Sequence, residues 1–122
     1  MDFKNNKPIY KQIIDYCFGN IMSGEWAVDG RVPSIKELSV ELAVNNRTVI
    51  KAYEYMQMKE IIYVKRGLGY FVSPDARDII AEERRDEFFH DTLDDVFREM
   101  DILGISIDDV VKHYRDHLTS CR

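Results

Sequence analysis

Between residues 32 and 53 the chain sets two short helical patterns, VPSIKELSVELA and VNNRTVIKAY, about ten residues apart, and a basic glycine hairpin, VKRGLGYFV, comes soon after. That order of parts constrains the fold more than any other feature. The first pattern is punctuated at its start, because Ser34 and Glu37 make an S-x-x-E capping box and Pro33 keeps the preceding chain extended. The helix therefore begins near Ile35 and ends near Ala43, with Leu38 and Leu42 on one buried face. After a short turn, Asn45 is an N-cap for the second helix and leaves Asn46, Arg47 and Thr48 in its first turn. Val49, Ala52, Tyr53 and Met56 recur at helical spacing and predict the side that packs, so Asn46, Arg47, Ile50 and Lys51 fall on other faces.

Residues 61–64 are β-branched and aromatic, 65–68 carry a turn with Gly67, and 69–72 alternate back as a second strand with Lys65 and Arg66 at the tip. Upstream, Ile9, Ile13, Cys17 and Ile21 recur at four-residue steps, broadened by Tyr10, Ile14 and Phe18, and predict a core helix over 8–23. Trp26 reads as core as well. The sum is a mainly α fold with a small β-wing, a winged helix-turn-helix. Its exposed residues suit duplex DNA: arginine bonds guanine bidentately, asparagine does the same to adenine, and threonine or lysine holds phosphate oxygens. Two cations beside a glycine that permits close backbone approach suit a wing laid on phosphates or a minor groove.

From residue 8 to residue 72 the chain resembles the DNA-binding domain of GntR-type bacterial transcription regulators, through PIYKQI, the Gly24 turn, VPSIKELS, AVNNRTVIKAY and RGLGYFV in register. It departs from the family pattern where Val28 and Asp29 stand for Pro-Gly, Val32 for Leu and Lys36 for Arg; Asn46 and Arg47 also differ from the commoner residues. Lysine offers a mobile point charge instead of a fixed fork, so Lys36 is assigned to phosphate. With it go Asn45 and Lys51. Asn46, Arg47 and Thr48 are assigned to base edges, and Lys65, Arg66 and Gly67 to the wing contact.

At 122 residues the chain has room for one winged domain, 1–74, and a tail, 75–122. The larger effector-binding and aminotransferase-like members of the family are thereby excluded, and the chain resembles the short YtrA-type subgroup. That resemblance implies a C-terminal two-helix dimerisation hairpin and repression of an ABC-transporter operon. The tail carries its own signal: Phe89, Leu93, Val96, Met100 and Leu103 follow 4-3-4-3 spacing, widened by Phe88 and Phe97. Gly104 is a terminator, and Ser106 with Asp109 caps a second helix carrying Ile107, Val110, Val111, Tyr114 and Leu118. Phe89, Leu93, Val96, Phe97, Met100 and Leu103 are the expected dimer contacts. A two-fold pair would present two recognition helices to a palindromic operator.

Formal net charge is −5, yet it is unevenly divided. Residues 1–74 hold 10 Lys and Arg against 8 Asp and Glu, a balance of +2, whereas 75–122 hold 7 against 14, a balance of −7. A mildly basic reading head on an acidic tail implies binding that depends on the dimer and falls with salt. Other chemistry is poorly supported. His113 and His117 lie four apart without a third ligand and read as a solvated face, so no metal, cofactor or catalytic role is expected. Cys17 and Cys121 fit no redox spacing, and with no signal peptide or long apolar run the expected location is the cytoplasm. Two alternatives stand beside the DNA reading. One is a winged-helix protein–protein interaction module without specific DNA binding; the other adds an unknown small-molecule effector at an aromatic pocket around Phe88, Phe97 and Tyr114.

Overall fold

The structure, a computed structural model, describes residues 7–121; residues 1–6 and 122, which the expected domains 1–74 and 75–122 include, lie outside the described residues. Helix α1, Ile9–Met22, starts directly after Pro8, whose carbonyl accepts from the N–H groups of Lys11 and Gln12 at 3.1 and 3.3 Å. It buries Ile13, Ile14, Cys17, Phe18 and Ile21. Ile9, expected in the same stripe, is 48% exposed, because the packed face begins one turn later. Gly24, at φ +85°, turns the chain out of α1.

Helix α2, Ile35–Leu42, has the expected capping box: the Glu37 N–H donates to Ser34 Oγ at 3.1 Å, and the Ser34 N–H donates to Glu37 Oε1 at 2.9 Å. It stops at Ala43, which is left-handed at φ 54°. Helix α3, Asn46–Met58, buries Val49, Ala52, Tyr53 and Met56, the four residues that the spacing predicts. Leu38 and Leu42 of α2 and the α1 stripe belong to the same core.

Strand β1, Ile62–Lys65, pairs antiparallel with β2, Gly69–Val72, in the register Ile62↔Val72, Tyr63↔Phe71, Val64↔Tyr70 and Lys65↔Gly69. The first strand and the turn thus begin one residue later than the sequence predicts. Glu60 takes a left-handed conformation at φ 62° and Ile61 follows it as a bend, fully buried, so pairing starts only at Ile62. Arg31 makes a single bridge to Phe71, and the Val32 N–H donates to the Tyr70 carbonyl at 2.9 Å, so the segment before α2 runs along the free edge of β2.

Helix α4, Ala76–Glu87, is an element that the apolar spacing of the tail does not predict. Ala76 and Ile80 are fully buried in the winged-domain core, and Arg77 donates to the Met22 carbonyl at the end of α1 at 2.9 Å. The described chain forms two compact units that part within α4, between Glu83 and Arg84. In the second unit a π-helical turn, Phe88–Thr92, is followed by α5, Leu93–Leu103, and α6, Ile107–Ser120. Gly104 ends α5 at φ +67°, and Ser106 and Asp109 form the predicted capping box on α6. None of the side chains in the π turn, α5 or α6 is buried.

Candidate nucleic-acid interface

The N-terminus of α3 is built by its cap. Asn45 Oδ1 accepts from the Arg47 N–H at 2.8 Å, which leaves the Asn45 amide group free to face outward as a donor. Asn46 and Arg47 are exposed in the first turn, Thr48 is half-buried behind them, and no acidic side chain shares that turn. The positive end of the helix dipole and the Arg47 guanidinium therefore act in the same direction, toward an anion. Four buried residues hold the other side of the helix, so this polar tip is presented on a fixed strut.

Lys51 lies one turn further along, with its ammonium 4.0 Å from the centroid of the Tyr10 ring. Ile9, Tyr10, Arg47, Thr48 and Lys51 line an open concavity of about 330 Å³ beside the helix tip. Tyr10 packs half-buried against the core, as its stripe predicts, and its ring also forms a wall beside α3 that restrains a cation there. Its place in an apolar stripe concealed this, because the stripe's period says nothing about what meets its edge.

Lys36 is exposed in the first turn of α2. Beside the same turn lies Arg31, a cation that no local motif singles out, with its guanidinium 3.3 Å from Glu37 Oε1. Hydrogen bonds from the Ser34 N–H and hydroxyl, and then the Arg31 charge, hold the Glu37 carboxyl below its ordinary value of 4.5. A carboxylate so depressed contributes stability that is present above its unfolded value and is lost as pH falls through the folded one. Melting of the native protein and Glu37→Gln should therefore converge as pH is lowered below about 4.5. Ser34→Ala is expected to cost about 1 kcal/mol in urea unfolding at neutral pH. Unchanged midpoints for both variants would remove the capping box as a support for α2.

On the wing, Lys65 is the last residue of β1 and not part of the turn, and its ammonium lies 4.7 Å from the Phe71 ring and 5.9 Å from the Tyr63 ring. The two rings stack across the strands with centroids 5.9 Å apart. Tyr63 also donates to Asp29 Oδ1 at 2.9 Å, and that bond to a carboxylate raises its pKa. Arg66 and Gly67 form the exposed turn, closed by the Leu68 N–H donating to the Lys65 carbonyl at 2.9 Å. Gly67 sits at φ +78°, a conformation that a side chain would strain. Of the nine residues expected to meet DNA, Asn45 caps α3 and the other eight lie on α2, α3 or the hairpin, and Arg47, Thr48 and Lys51 share one concavity.

Comparison with known proteins fits this geometry. Residues 9–72 match the family described as bacterial regulatory proteins, gntR family. The HTH-type transcriptional regulator YhcF of Bacillus subtilis (strain 168) is 28% identical over 110 residues, spanning 90% of this chain and 89% of that protein. The HTH-type transcriptional repressor YtrA of the same organism is 32% identical over 82 residues, 67% of this chain and 63% of that protein. Among solved structures, a GntR-family regulator from Bacteroides thetaiotaomicron superposes with a TM-score of 0.81 at 36% identity, covering 94% of this chain and all of that one. The DNA-binding domain of AraR in complex with operator ORX1 superposes with a TM-score of 0.55 at 25% identity, over 59% of this chain and 93% of that one. The relatives and the fold are those of transcription regulators, not of enzymes, and no described helix is long and apolar enough to cross a membrane. With the winged helix-turn-helix in place and more than half of its residues matched in order, the chain belongs to the GntR family of bacterial regulatory proteins.

Proposed function

We propose that the protein is a homodimeric repressor that occupies a palindromic operator and so excludes polymerase from a neighbouring promoter. The observation that carries this is the capped, acid-free first turn of α3, with Asn46 and Arg47 exposed while Val49, Ala52, Tyr53 and Met56 anchor the opposite side. In this reading Asn46, Arg47 and Thr48 approach base edges in the major groove. Asn45, Lys36 and Lys51 hold phosphates, and Lys65, Arg66 and Gly67 lay the wing on the backbone. The likeness to the AraR domain, whose solved form holds operator DNA, supports the docking mode. The likeness to a repressor, YtrA, supports the sign of regulation, while a transport operon as target is what the resemblance to the short subgroup implies.

The exposed apolar residues of the second unit support pairing with a second copy, since a closed two-fold arrangement covers such a face on both subunits at once. Selection of bound fragments from random duplex DNA should return a palindrome, and binding should weaken steeply with salt. Arg47→Ala is expected to lose about 1–3 kcal/mol on the selected site and to relax sequence preference. Lys51→Ala should weaken operator and scrambled DNA alike and flatten the salt slope. Equal losses on both DNAs for Arg47→Ala would falsify its base-reading role.

A further inference from the structure

On α3 the residues Asn46, Arg47, Ile50 and Lys51 are one, four and five places apart, which sets them on one outward strip one turn long. Three of them are hydrogen-bond donors. The fourth is isoleucine, 37% exposed, on a helix whose core contacts are already made by Val49, Ala52, Tyr53 and Met56. An apolar β-branched side chain in the middle of a donor strip neither packs the core nor holds a phosphate. Within the major groove only one base edge is apolar, the C5-methyl group of thymine; cytosine presents an amino donor, and adenine and guanine present polar atoms that an alkyl group would desolvate without replacement.

We infer that Ile50 is a specificity-determining residue that reads a thymine methyl group in the operator. Four residues along an α-helix span about 6 Å, so the thymine lies within about two base-pair steps of the pair met by Asn46. β-Branching leaves isoleucine in a helix with one strongly preferred χ1 rotamer, which keeps the methyl-contacting end in place before DNA arrives. The remaining members of the strip supply affinity and polar discrimination, while Ile50 rejects cytosine at its position.

This inference rests on the proposed operator reading, and the experiment separates the two. Thymines of the selected operator are replaced one at a time by deoxyuridine, which removes a methyl group and nothing else, and affinities are measured by gel shift. One position per half-site should lose about fourfold in affinity for the native protein. Ile50→Ala should bind the thymine and deoxyuridine forms of that position equally, whereas Arg47→Ala should keep the difference. Ile50→Gln provides a second variant, and circular dichroism melting verifies that both remain folded. If the native protein distinguishes operator from scrambled DNA yet tolerates deoxyuridine everywhere, or if Ile50→Ala retains the thymine preference, the Ile50 role is overturned and operator binding stands. If operator and scrambled DNA bind alike, both proposals fall together.

Discussion

Tyr53→Ala is expected to lower the free energy of unfolding by about 3–5 kcal/mol, a large part of the stability available to a chain of this size. Tyr53 is fully buried, and it joins three parts of the reading head. Its backbone belongs to α3, its hydroxyl donates to the Pro33 carbonyl at 2.7 Å just before α2, and its ring meets the Tyr70 ring of the wing edge-on at 5.1 Å. Truncation to alanine therefore opens a cavity at the junction and leaves the half-buried Pro33 carbonyl without this donor. Burial pushes the Tyr53 hydroxyl above its ordinary value of 10.0, so the neutral, donating form holds throughout the physiological range. The stability that this contributes is complete below about pH 10 and declines as the solution becomes more alkaline. Tyr53→Phe, which keeps the ring, should cost about 1 kcal/mol. Urea titrations should show a lower midpoint with an unchanged slope for both variants, and a loss under about 1 kcal/mol for Tyr53→Ala would mean that the site collapses to fill its own void.

Introducing two charges on α5, Val96→Asp with Phe97→Asp, is expected to reduce operator affinity by about 10²–10⁴-fold through loss of pairing. Val96 and Phe97 are 41% and 43% exposed, Phe89 and Leu103 are exposed as well, and Leu93 and Met100 are half-buried. A carboxylate on such residues meets water in a single subunit but would be desolvated against a partner. Linked half-sites gain their affinity from effective concentration, so a monomer would lose that advantage while each reading head keeps its contacts. Sedimentation should show the mass halved, and binding to an isolated half-site should be nearly unchanged. A variant that sediments as the native protein does, or that holds the full palindrome as tightly, would remove α5 from the proposed interface.

The capping signals were legible because they are short-range. Ser34 with Glu37, Asn45 with Arg47, and Ser106 with Asp109 are bonds within three residues, and each is present as the residue types predict. Periodicity likewise marked the buried side of α3. Helix α4 was missed because its packing residues, Ala76, Ile79 and Ile80, are outnumbered by Asp78, Glu82, Glu83, Arg84 and Arg85. The π-helical turn at Phe88–Thr92 has no sequence signature of its own. It places the Leu93 N–H on the Phe88 carbonyl, five residues back, and so changes the phase of the apolar seam that uniform helical spacing had drawn straight through Phe89.

Within the candidate interface, side-chain chemistry was readable at Asn46, Arg47, Lys51 and the wing cations, since an exposed donor next to a cap needs no distant partner to be recognised. Its surroundings were not. Tyr10 reaches Lys51 across 41 positions and Arg31 bridges to Phe71 across 40, contacts that no local pattern encodes. The chain alone determined where helices start and stop and which residues form a polar tip, because hydrogen bonds and side-chain period act over about one turn of backbone. Only the folded core decided that Ile9 stays outside, that Ile61 is buried before the wing begins, and that one tyrosine hydroxyl ties α3 to the carbonyl before α2, because those outcomes depend on which distant surfaces exclude water together.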